Sequence, residues 1–415
     1  MLVSHQDRTA LRELAAQVAE IAALPVQQES IALWKALNGL KPERPMVMIG
    51  QIPWHEMNVD GELTLQTQDP LCRRWETTLR RTLYSWRHMR ADMVVEPYFD
   101  VSKVIRGMGF GLKTDENRSV LDPENDVVGH YYLDQLQNEE DLQKIQTPHP
   151  TLDKEATALV EAKAHEVFDG LLEVRLQGAT PVFSPWDQLV TWHGVENSLL
   201  DLAVRPEFMH AMIKRYSDAL YAMLDQLEEK GLLGYGQARI HCTGAHTDEL
   251  PTPEFDVDHP RPGDLWTFAM AQVFVGVSPA MHKEFEIDYA VDWAQRFGLV
   301  YYGCCEPLHN KIDIIRGLPH VRKISMSPWV DVEVGAQKIG GDYVFSRKPS
   351  PALLAPDVWS PEAVEADLIE TREACARHGC PLEFILKDIS TVRYEPQRLW
   401  EWVDVAMRVA QDGAV

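Results

Sequence analysis

Along most of the chain, short apolar runs alternate with longer segments in which apolar residues recur at helical spacing. In residues 8–39, Leu11, Leu14 and Val18 recur at steps of three and four, which predicts helices. After a proline-containing break at residues 41–45, short apolar runs predict buried strands. In chain order these runs are Met46–Ile52, Met93–Tyr98, Pro181–Trp186, Gln237–Cys242, Leu299–Cys304, Val321–Met326, Tyr343–Ser346 and Leu382–Leu386.

Helical segments separate most of these runs. They are Pro70–Arg90, Asp153–Gly170, Pro206–Lys230, Pro279–Arg296, Pro361–His378 and Pro396–Ala410, with shorter helices at Leu308–Arg316 and Val332–Ile339. We expect a buried helical turn at Phe268–Val277, and an excursion over the barrel mouth at Val101–Glu140, which is rich in Gly, Asp and Asn. Strands that alternate with helices indicate parallel β/α units. The sequence therefore predicts an α/β protein with one (β/α)8 TIM barrel at residues 45–415 and an N-terminal helical extension at residues 1–44. No Pro/Gly/Ser-rich linker marks a boundary between two domains.

Net charge and cysteine content limit the partners and the cellular compartment that we expect for this protein. The formal net charge of −23 repels nucleic acid and anionic membrane surfaces, so neither is expected as a partner. No apolar run approaches the roughly 20 residues that span a bilayer, and no secretion signal is recognisable. Six cysteines without regular spacing indicate thiols in a reducing compartment, so we expect a cytoplasmic protein. The oligomeric state is left open, with a homodimer among the options.

Polar, sulfur-containing and aromatic residues stand at the end of every predicted strand. Such ends share one mouth in a barrel, where an active site is expected. The acids at positions 248 and 249 are alternatively turn or capping residues, and the basic pair at 347 and 348 is alternatively a solvated surface pair. The residues expected to bind a small-molecule substrate are Trp54, His55, Glu96, Tyr98, Trp186, Asp248, Glu249, Trp329, Arg347 and Lys348.

Cys304 and Cys305, followed by Glu306, form the most chemically distinctive strand end. Thiolate, carboxylate and imidazole are zinc ligands, and a catalytic zinc site keeps one position open. Cys304, Cys305 and His241 are therefore the expected metal ligands. Adjacent residues of a strand point to opposite faces, so both thiols can reach one ion only if the strand has already ended. The alternative is that one of the two thiols packs in the core.

The region from Leu299 to Glu306 resembles the His-x-Cys-Gly strand end of zinc methyltransferases in the uroporphyrinogen decarboxylase superfamily. Asp342–Pro351 is similar to their Gly-Asn-x-Asp-Pro turn, and Pro381–Asp388 to their last strand. The resemblance covers most of the chain after about residue 45 and implies a barrel fold, zinc and a corrinoid carried on a separate protein. The chain departs from the pattern because Tyr302 and Gly303 stand near the position of the family's histidine ligand. Lys387 and Asp388 likewise stand in place of the last cysteine, so only Cys304 or Cys305 is carried over.

The preferred hypothesis is a methyltransferase that moves a methyl group between a small methylated substrate and a corrinoid or a thiol acceptor. Zinc is expected to assist as a Lewis acid, with Glu306, His241 and Asp388 as catalytic residues. The runner-up is a metal-independent decarboxylase or lyase that acts on a small carboxylated substrate. A catalytically silent protein that docks a corrinoid protein is the third hypothesis.

Overall fold

The computed structural model describes residues 2–120 and 128–412. Its centre is a six-stranded parallel sheet with the order β1-β14-β13-β12-β11-β10. The strands are β1 Met46–Ile49, β2 Tyr98–Ser102, β3 Ile105–Arg106, β4 Glu116–Ser119, β5 Gly129–Tyr132, β6 Thr151–Leu152, β7 Glu173–Gln177, β8 Arg239–Ile240, β9 Thr243–Gly244, β10 Trp266–Ala269, β11 Leu299–Tyr302, β12 Val321–Met326, β13 Val344–Arg347 and β14 Leu382–Leu386.

Helices cover the sheet and connect its strands. They are α1 His5–Ala22, α2 Pro25–Asn38, α3 Trp54–Met57, α4 Pro70–His88, α5 Lys154–Phe168, α6 Pro185–His193, α7 Val195–Val204, α8 Pro206–Glu229, α9 Pro279–His282, α10 Asp288–Arg296, α11 Ile312–Ile315, α12 Val332–Ile339, α13 Pro361–His378 and α14 Gln397–Gln411. A π-helical turn, Lys283–Ile287, joins α9 to α10. The predicted helices are confirmed, including the two short ones after β11 and β12.

Five of the predicted strands are confirmed, and they correspond to β1, β11, β12, β13 and β14. Every residue of β11, β13 and β14 is buried. Strands of a parallel sheet are covered on both faces, and they therefore have the continuous apolar character that made these runs recognisable. The mixed α/β class with a central parallel sheet is thus confirmed.

Three predicted strands were misplaced. The strand expected at Met93–Tyr98 begins only at Tyr98, because residues 93–97 are irregular and end in a bend. The run Pro181–Trp186 leads into α6, which begins at Pro185, since proline fits the first helical position. Gln237–Cys242 contains only the short strand β8, which pairs antiparallel with β9.

Besides short antiparallel strands, two strands that pair in parallel were missed. Trp266–Ala269 was partly assigned to a helical turn, but it forms the edge strand β10, and the helical turn begins only at Gln272. Glu173–Gln177 carries Glu173 and Arg175 and is nowhere fully buried, so it lacks the apolar run that marks a strand. It pairs in parallel with β2 in a separate two-stranded sheet.

The N-terminal helices pack against the rest of the chain. In α1, Leu11 and Val18 belong to an apolar cluster with Trp75 of α4 and Phe168 of α5. Within the predicted excursion at Val101–Glu140, β3, β4 and β5 form short antiparallel pairs, while residues 121–127 lie outside the described residues. Across residues 2–120 and 128–412, none of the helices has the length and apolar character that crossing a membrane requires.

Candidate functional site

The two adjacent thiols come together because β11 ends at Tyr302, and only Gly303 separates the strand from Cys304. Gly303 has a φ of +91°, and a β-carbon there would collide with Cδ1 of Leu308, so glycine is required at this turn. The turn takes Cys304 and Cys305 out of strand geometry, and their Sγ atoms lie 3.5 Å apart. Ser325 of β12 donates a hydrogen bond to the Cys304 carbonyl oxygen at 2.6 Å and holds the turn in place.

Lys387 and Asp388 meet the thiols from the end of β14. Lys387 Nζ lies 3.2 Å from Cys304 Sγ and 3.5 Å from Cys305 Sγ. The same ammonium group donates to Asp388 Oδ2 at 2.8 Å, so its three protons all have acceptors. Asp388 has a φ of +56°, which turns the chain so that both side chains face the thiols. Cys305 Sγ lies 3.0 Å from Asp388 Oδ2.

This arrangement separates the acidities of the two thiols. Its hydrogen bond with Cys305 lowers the pKa of Cys304, and the charge of Lys387 lowers it further against the opposing effect of burial. The pKa of Cys305 is raised by its contact with Cys304, by burial and by Asp388. Burial alone would lower the pKa of Lys387, but the adjacent Cys304 and Asp388 raise it. These contacts therefore favour ionisation of Cys304 over Cys305, beside a Lys387 whose protonated form is also favoured.

The site does not fit zinc. Within residues 2–120 and 128–412, no group of three or more His, Cys, Asp or Glu residues is arranged to hold a metal ion. Cys304, Cys305 and Asp388 are close together, but the Lys387 ammonium group contacts all three and already compensates their charge. A dication at this position would be repelled by that ammonium group.

A second polar cluster lies beside the thiols and is built on β11 and β13. Lys348 Nζ donates hydrogen bonds to Tyr301 Oη and to Ser346 Oγ, the latter at 2.8 Å. Burial lowers the pKa of Lys348 to about 8. The imidazole of His241 stacks on Phe268 with ring centroids 4.4 Å apart. Burial and the positive charges of Lys348 and Lys387 lower the pKa of His241 to about 2, so its ring is neutral.

Glu306 points away from the thiols, into a buried acidic cluster. Its Oε2 accepts a hydrogen bond from the Cys304 amide at 2.9 Å. The Tyr302 hydroxyl donates to Glu286 Oε2 at 2.6 Å. Burial, together with the charges of Glu306 and Glu286, raises the pKa of Asp187 to about 7. Through its bond to the Cys304 amide, Glu306 supports the backbone of the reactive thiol.

Several predicted substrate-binding residues line cavities. Glu96 and Tyr98 lie on the wall of a cavity of about 990 Å³, and so does His241, which was predicted to be catalytic and a metal ligand. Trp54 lines an adjoining cavity of about 300 Å³. His55 lines neither cavity, and its Nε2 atom lies 3.7 Å from Glu56 Oε1.

The other predicted substrate-binding residues are engaged elsewhere. Trp186 is buried and donates to the Phe285 carbonyl at 2.8 Å, while Trp329 is 76% exposed. Arg347 donates to the Ser327 carbonyl oxygen at 2.6 Å and to Asp367 at 3.1 Å, so it is neither a solvated residue nor a free anion clamp. The two acids after β9 form ion pairs, Asp248 with Lys35 at 2.7 Å and Glu249 with Arg322 at 2.9 Å.

The sequence analysis did not predict the central role of Lys387 in the site. Its signal was present, because a lysine directly after the apolar run Leu382–Leu386 is a polar residue at a strand end. The ion pair between Lys323 and Glu383, with Nζ and Oε2 2.7 Å apart, was missed without such a signal. Both residues lie inside strands whose remaining positions are largely apolar, and only the placement of β12 and β14 on either side of β13 brings them into one buried pair.

The sequence matches no protein-family model, and no curated protein is significantly similar to it. Among solved structures, a methyltransferase from Methanosarcina mazei aligns over 92% of this chain and 97% of that chain, with a TM-score of 0.49 and 12% identity. Similarity at this level is too low to assign a shared fold or function.

Proposed function

We propose that this protein is a methyltransferase in which the Cys304 thiolate accepts a methyl group from a small substrate. The main support is the contact of 3.2 Å between Cys304 Sγ and Lys387 Nζ. A thiolate stabilised by an ammonium group is a strong nucleophile near neutral pH. The resemblance of Leu299–Glu306 to the strand end of zinc methyltransferases is the reason for choosing methyl transfer among the reactions open to such a thiolate.

In the first step, a lone pair on Cys304 Sγ forms a bond to the methyl carbon, and the bond from that carbon to the substrate heteroatom breaks. The electron pair of the broken bond stays with the heteroatom. When the heteroatom leaves as an anion, Lys387 Nζ supplies the proton that neutralises it. Asp388, which is hydrogen-bonded to Lys387 and exposed, connects that amine to solvent for reprotonation.

In the second step, an acceptor attacks the same methyl carbon, and the electron pair of the S–C bond returns to Cys304. We propose a corrinoid on a partner protein or a small thiol as the acceptor. Neutral His241 is a poor base at its pKa of about 2, so its role in the proposal is to form the wall beside the reacting groups.

Zinc has no step in this mechanism, because Lys387 already provides the positive charge at the thiols. We expect the transfer rate to be unchanged after treatment with EDTA and dialysis. A loss of activity that added zinc restores would instead support the zinc-assisted hypothesis.

We also propose that the strands close into an eight-stranded barrel, with β2 and β7 between β1 and β10. In support, the Asp92 amide donates to the Val47 carbonyl at 3.1 Å beside β1. On the other side, Phe183 donates to the Phe268 carbonyl at 2.8 Å and accepts from Met270 at 3.0 Å. A crystal structure in which β1 and β10 are unconnected except through the six-stranded sheet would contradict the closure.

The second step can be tested with methylcobalamin and 2-mercaptoethanol, which represent the two proposed acceptors. The reverse of this step transfers the methyl group from methylcobalamin to Cys304, and the forward step transfers it from Cys304 to the thiol. The visible spectrum of the cobalamin follows the transfer. We expect wild-type protein to accelerate the transfer and Cys304→Ser to abolish the acceleration. Cys380→Ser is the matched control, because this thiol lies at the end of α13 and donates to the Ala336 carbonyl. Equal rates with and without wild-type protein, or full activity of Cys304→Ser, would contradict the proposal.

A metal-independent lyase is the second candidate, and the Lys348 cluster favours it. A buried amine with a pKa of about 8 that is bonded to Tyr301 and Ser346 can deliver a proton to a carbanion after decarboxylation. Carbon dioxide release that is lost in Lys348→Met but retained in Cys304→Ser would support this candidate over methyl transfer.

A further inference from the structure

The cavities of about 990 Å³ and about 300 Å³ share part of their lining. Thr78 and Thr82 of α4, together with Met93 and Arg239, line both the cavity of about 990 Å³ and the cavity of about 300 Å³. A ligand that contacts these four residues can extend into both cavities. Each cavity by itself lies within the range of about 300–1,000 Å³ that is typical of sites for small organic ligands.

The smaller cavity has an unusual charge for this protein. Arg81, Arg90 and Arg239 line it, and no Asp or Glu does so within the described part of the chain. The whole chain has 63 acidic residues against 40 lysines and arginines, so an all-basic lining runs against its composition. Arginine guanidinium groups bind carboxylates and phosphates through paired hydrogen bonds.

Arg239 has no acidic partner of its own. Among residues 2–120 and 128–412 its side chain forms no hydrogen bond or ion pair, and the nearby Glu96 is paired with His246 at 3.2 Å. The side chain is exposed to the cavities. Its charged guanidinium group is therefore accessible from both cavities, and its five N–H donors can exchange water for the oxygens of an anionic ligand.

Aromatic rings orient the two other arginines. The Arg81 guanidinium carbon lies 4.9 Å from the centre of the Trp54 ring, and that of Arg90 lies 4.9 Å from the centre of the Trp86 ring. Stacking on an indole restricts a guanidinium group and lowers the entropy lost when it binds a ligand. Trp54 itself lines the smaller cavity.

The larger cavity extends from the arginines toward the thiols. Its wall includes the apolar side chains of Leu79, Phe99 and Phe268. It also includes His241, whose pKa is lowered in part by Lys387, the residue in contact with Cys304. An apolar ligand body in this space would point one end toward the thiol site.

We infer that Arg239, with Arg81 and Arg90, binds the carboxylate or phosphate group of an amphiphilic ligand whose apolar body occupies the larger cavity. As a statement about the substrate class this rests on the proposed function, because it makes the ligand the source of the methyl group. The binding itself requires no transfer reaction and can be measured separately.

The test uses isothermal titration calorimetry with octanoate, octyl phosphate and the uncharged octanamide. We expect wild-type protein to bind at least one of the two anions more tightly than octanamide, and the tighter anion identifies the group that is recognised. Arg239→Met should weaken binding of that anion by about tenfold or more, which corresponds to about 1.4 kcal/mol. Arg239→Lys should weaken it less, because the charge is kept but the paired hydrogen bonds are lost.

Arg408→Met is the matched control, since Arg408 is exposed on α14 and lies 3.8 Å from Glu365. Octanamide binding that is equal in wild type and Arg239→Met would establish that the cavity is intact in the variant. If the anions bind no better than octanamide, or if Arg239→Met binds them as wild type does, the inference is wrong. A failed methyl-transfer assay with retained, Arg239-dependent anion binding would overturn only the proposed function.

Discussion

Lys387 is the residue on which the chemistry of the site depends most. Burial opposes its charge, and the contacts with Cys304 and Asp388 more than compensate for that cost. The hydrogen bond between the two thiols lowers the pKa of Cys304 and raises that of Cys305, and the charge of Lys387 lowers the pKa of Cys304 further. Part of the distinction between two neighbouring cysteines thus arises from a lysine that lies 83 positions further along the chain.

Replacing Lys387 by methionine should raise the pKa of the Cys304 thiol, because the ammonium group that favours the thiolate is removed. A loss of one close opposite charge corresponds to a shift of about one unit or more. The pH dependence of alkylation by iodoacetamide measures this, and its midpoint should move to higher pH. The part of the alkylation that is absent in Cys304→Ser belongs to Cys304. An unchanged midpoint of that part in Lys387→Met would contradict the role of the lysine.

At the scale of elements, the site is made by the positions at which strands end. The apolar runs of β11 and β14 were recognised from the sequence, and so were the polar residues that follow them. The turns were not, because a φ of +91° at Gly303 or +56° at Asp388 depends on the packing around each residue. These turns decide that both thiols and both residues of Lys387-Asp388 face each other.

Gly303→Ala should therefore destabilise the protein, by about 1–3 kcal/mol, since alanine disfavours this φ and its methyl group would collide with Leu308. The free energy of unfolding in urea measures the effect. The matched control is Gly276→Ala, because a β-carbon there meets no described atom within 4 Å and the φ is not positive. Equal stability of the two variants would mean that the turn at Gly303 adapts without cost.

At the scale of the whole molecule, the net charge does not reveal where charges of one sign are grouped. The net charge of −23 made a nucleic-acid partner unlikely on electrostatic grounds, whereas the described structure concentrates three arginines around one cavity. It also buries Glu286 and Glu306 and partly buries Asp187 beside them, where their charges repel. Neither grouping is visible in the composition.

The partly buried Asp187 predicts a pH dependence of stability. Its pKa is raised to about 7 from an ordinary value of 3.8, so between these values the folded protein binds a proton that the unfolded chain releases. Stability must then fall as the pH rises from about 4 to about 7 through this group. In Asp187→Asn that part of the decline should be absent, as measured by urea unfolding at a series of pH values. Parallel curves for variant and wild type would contradict the raised pKa.

The sequence by itself determined the alternation of strands and helices, five strands of the central sheet and the location of the thiols. These features are local, since burial on both faces gives a strand a continuous apolar run. It did not reveal β7, because a partly exposed strand with charged residues carries no such run.

Only the tertiary structure decided which residues share a site. Lys387 and Cys304 come together because β11 and β14 belong to the same parallel sheet and end at the same edge. Arg239 stands at the cavities because β8 turns back on β9 rather than joining that sheet. Contacts between positions far apart in the chain depend on the order of strands and on the turns between them, and neither is encoded in a local pattern of apolar and polar residues.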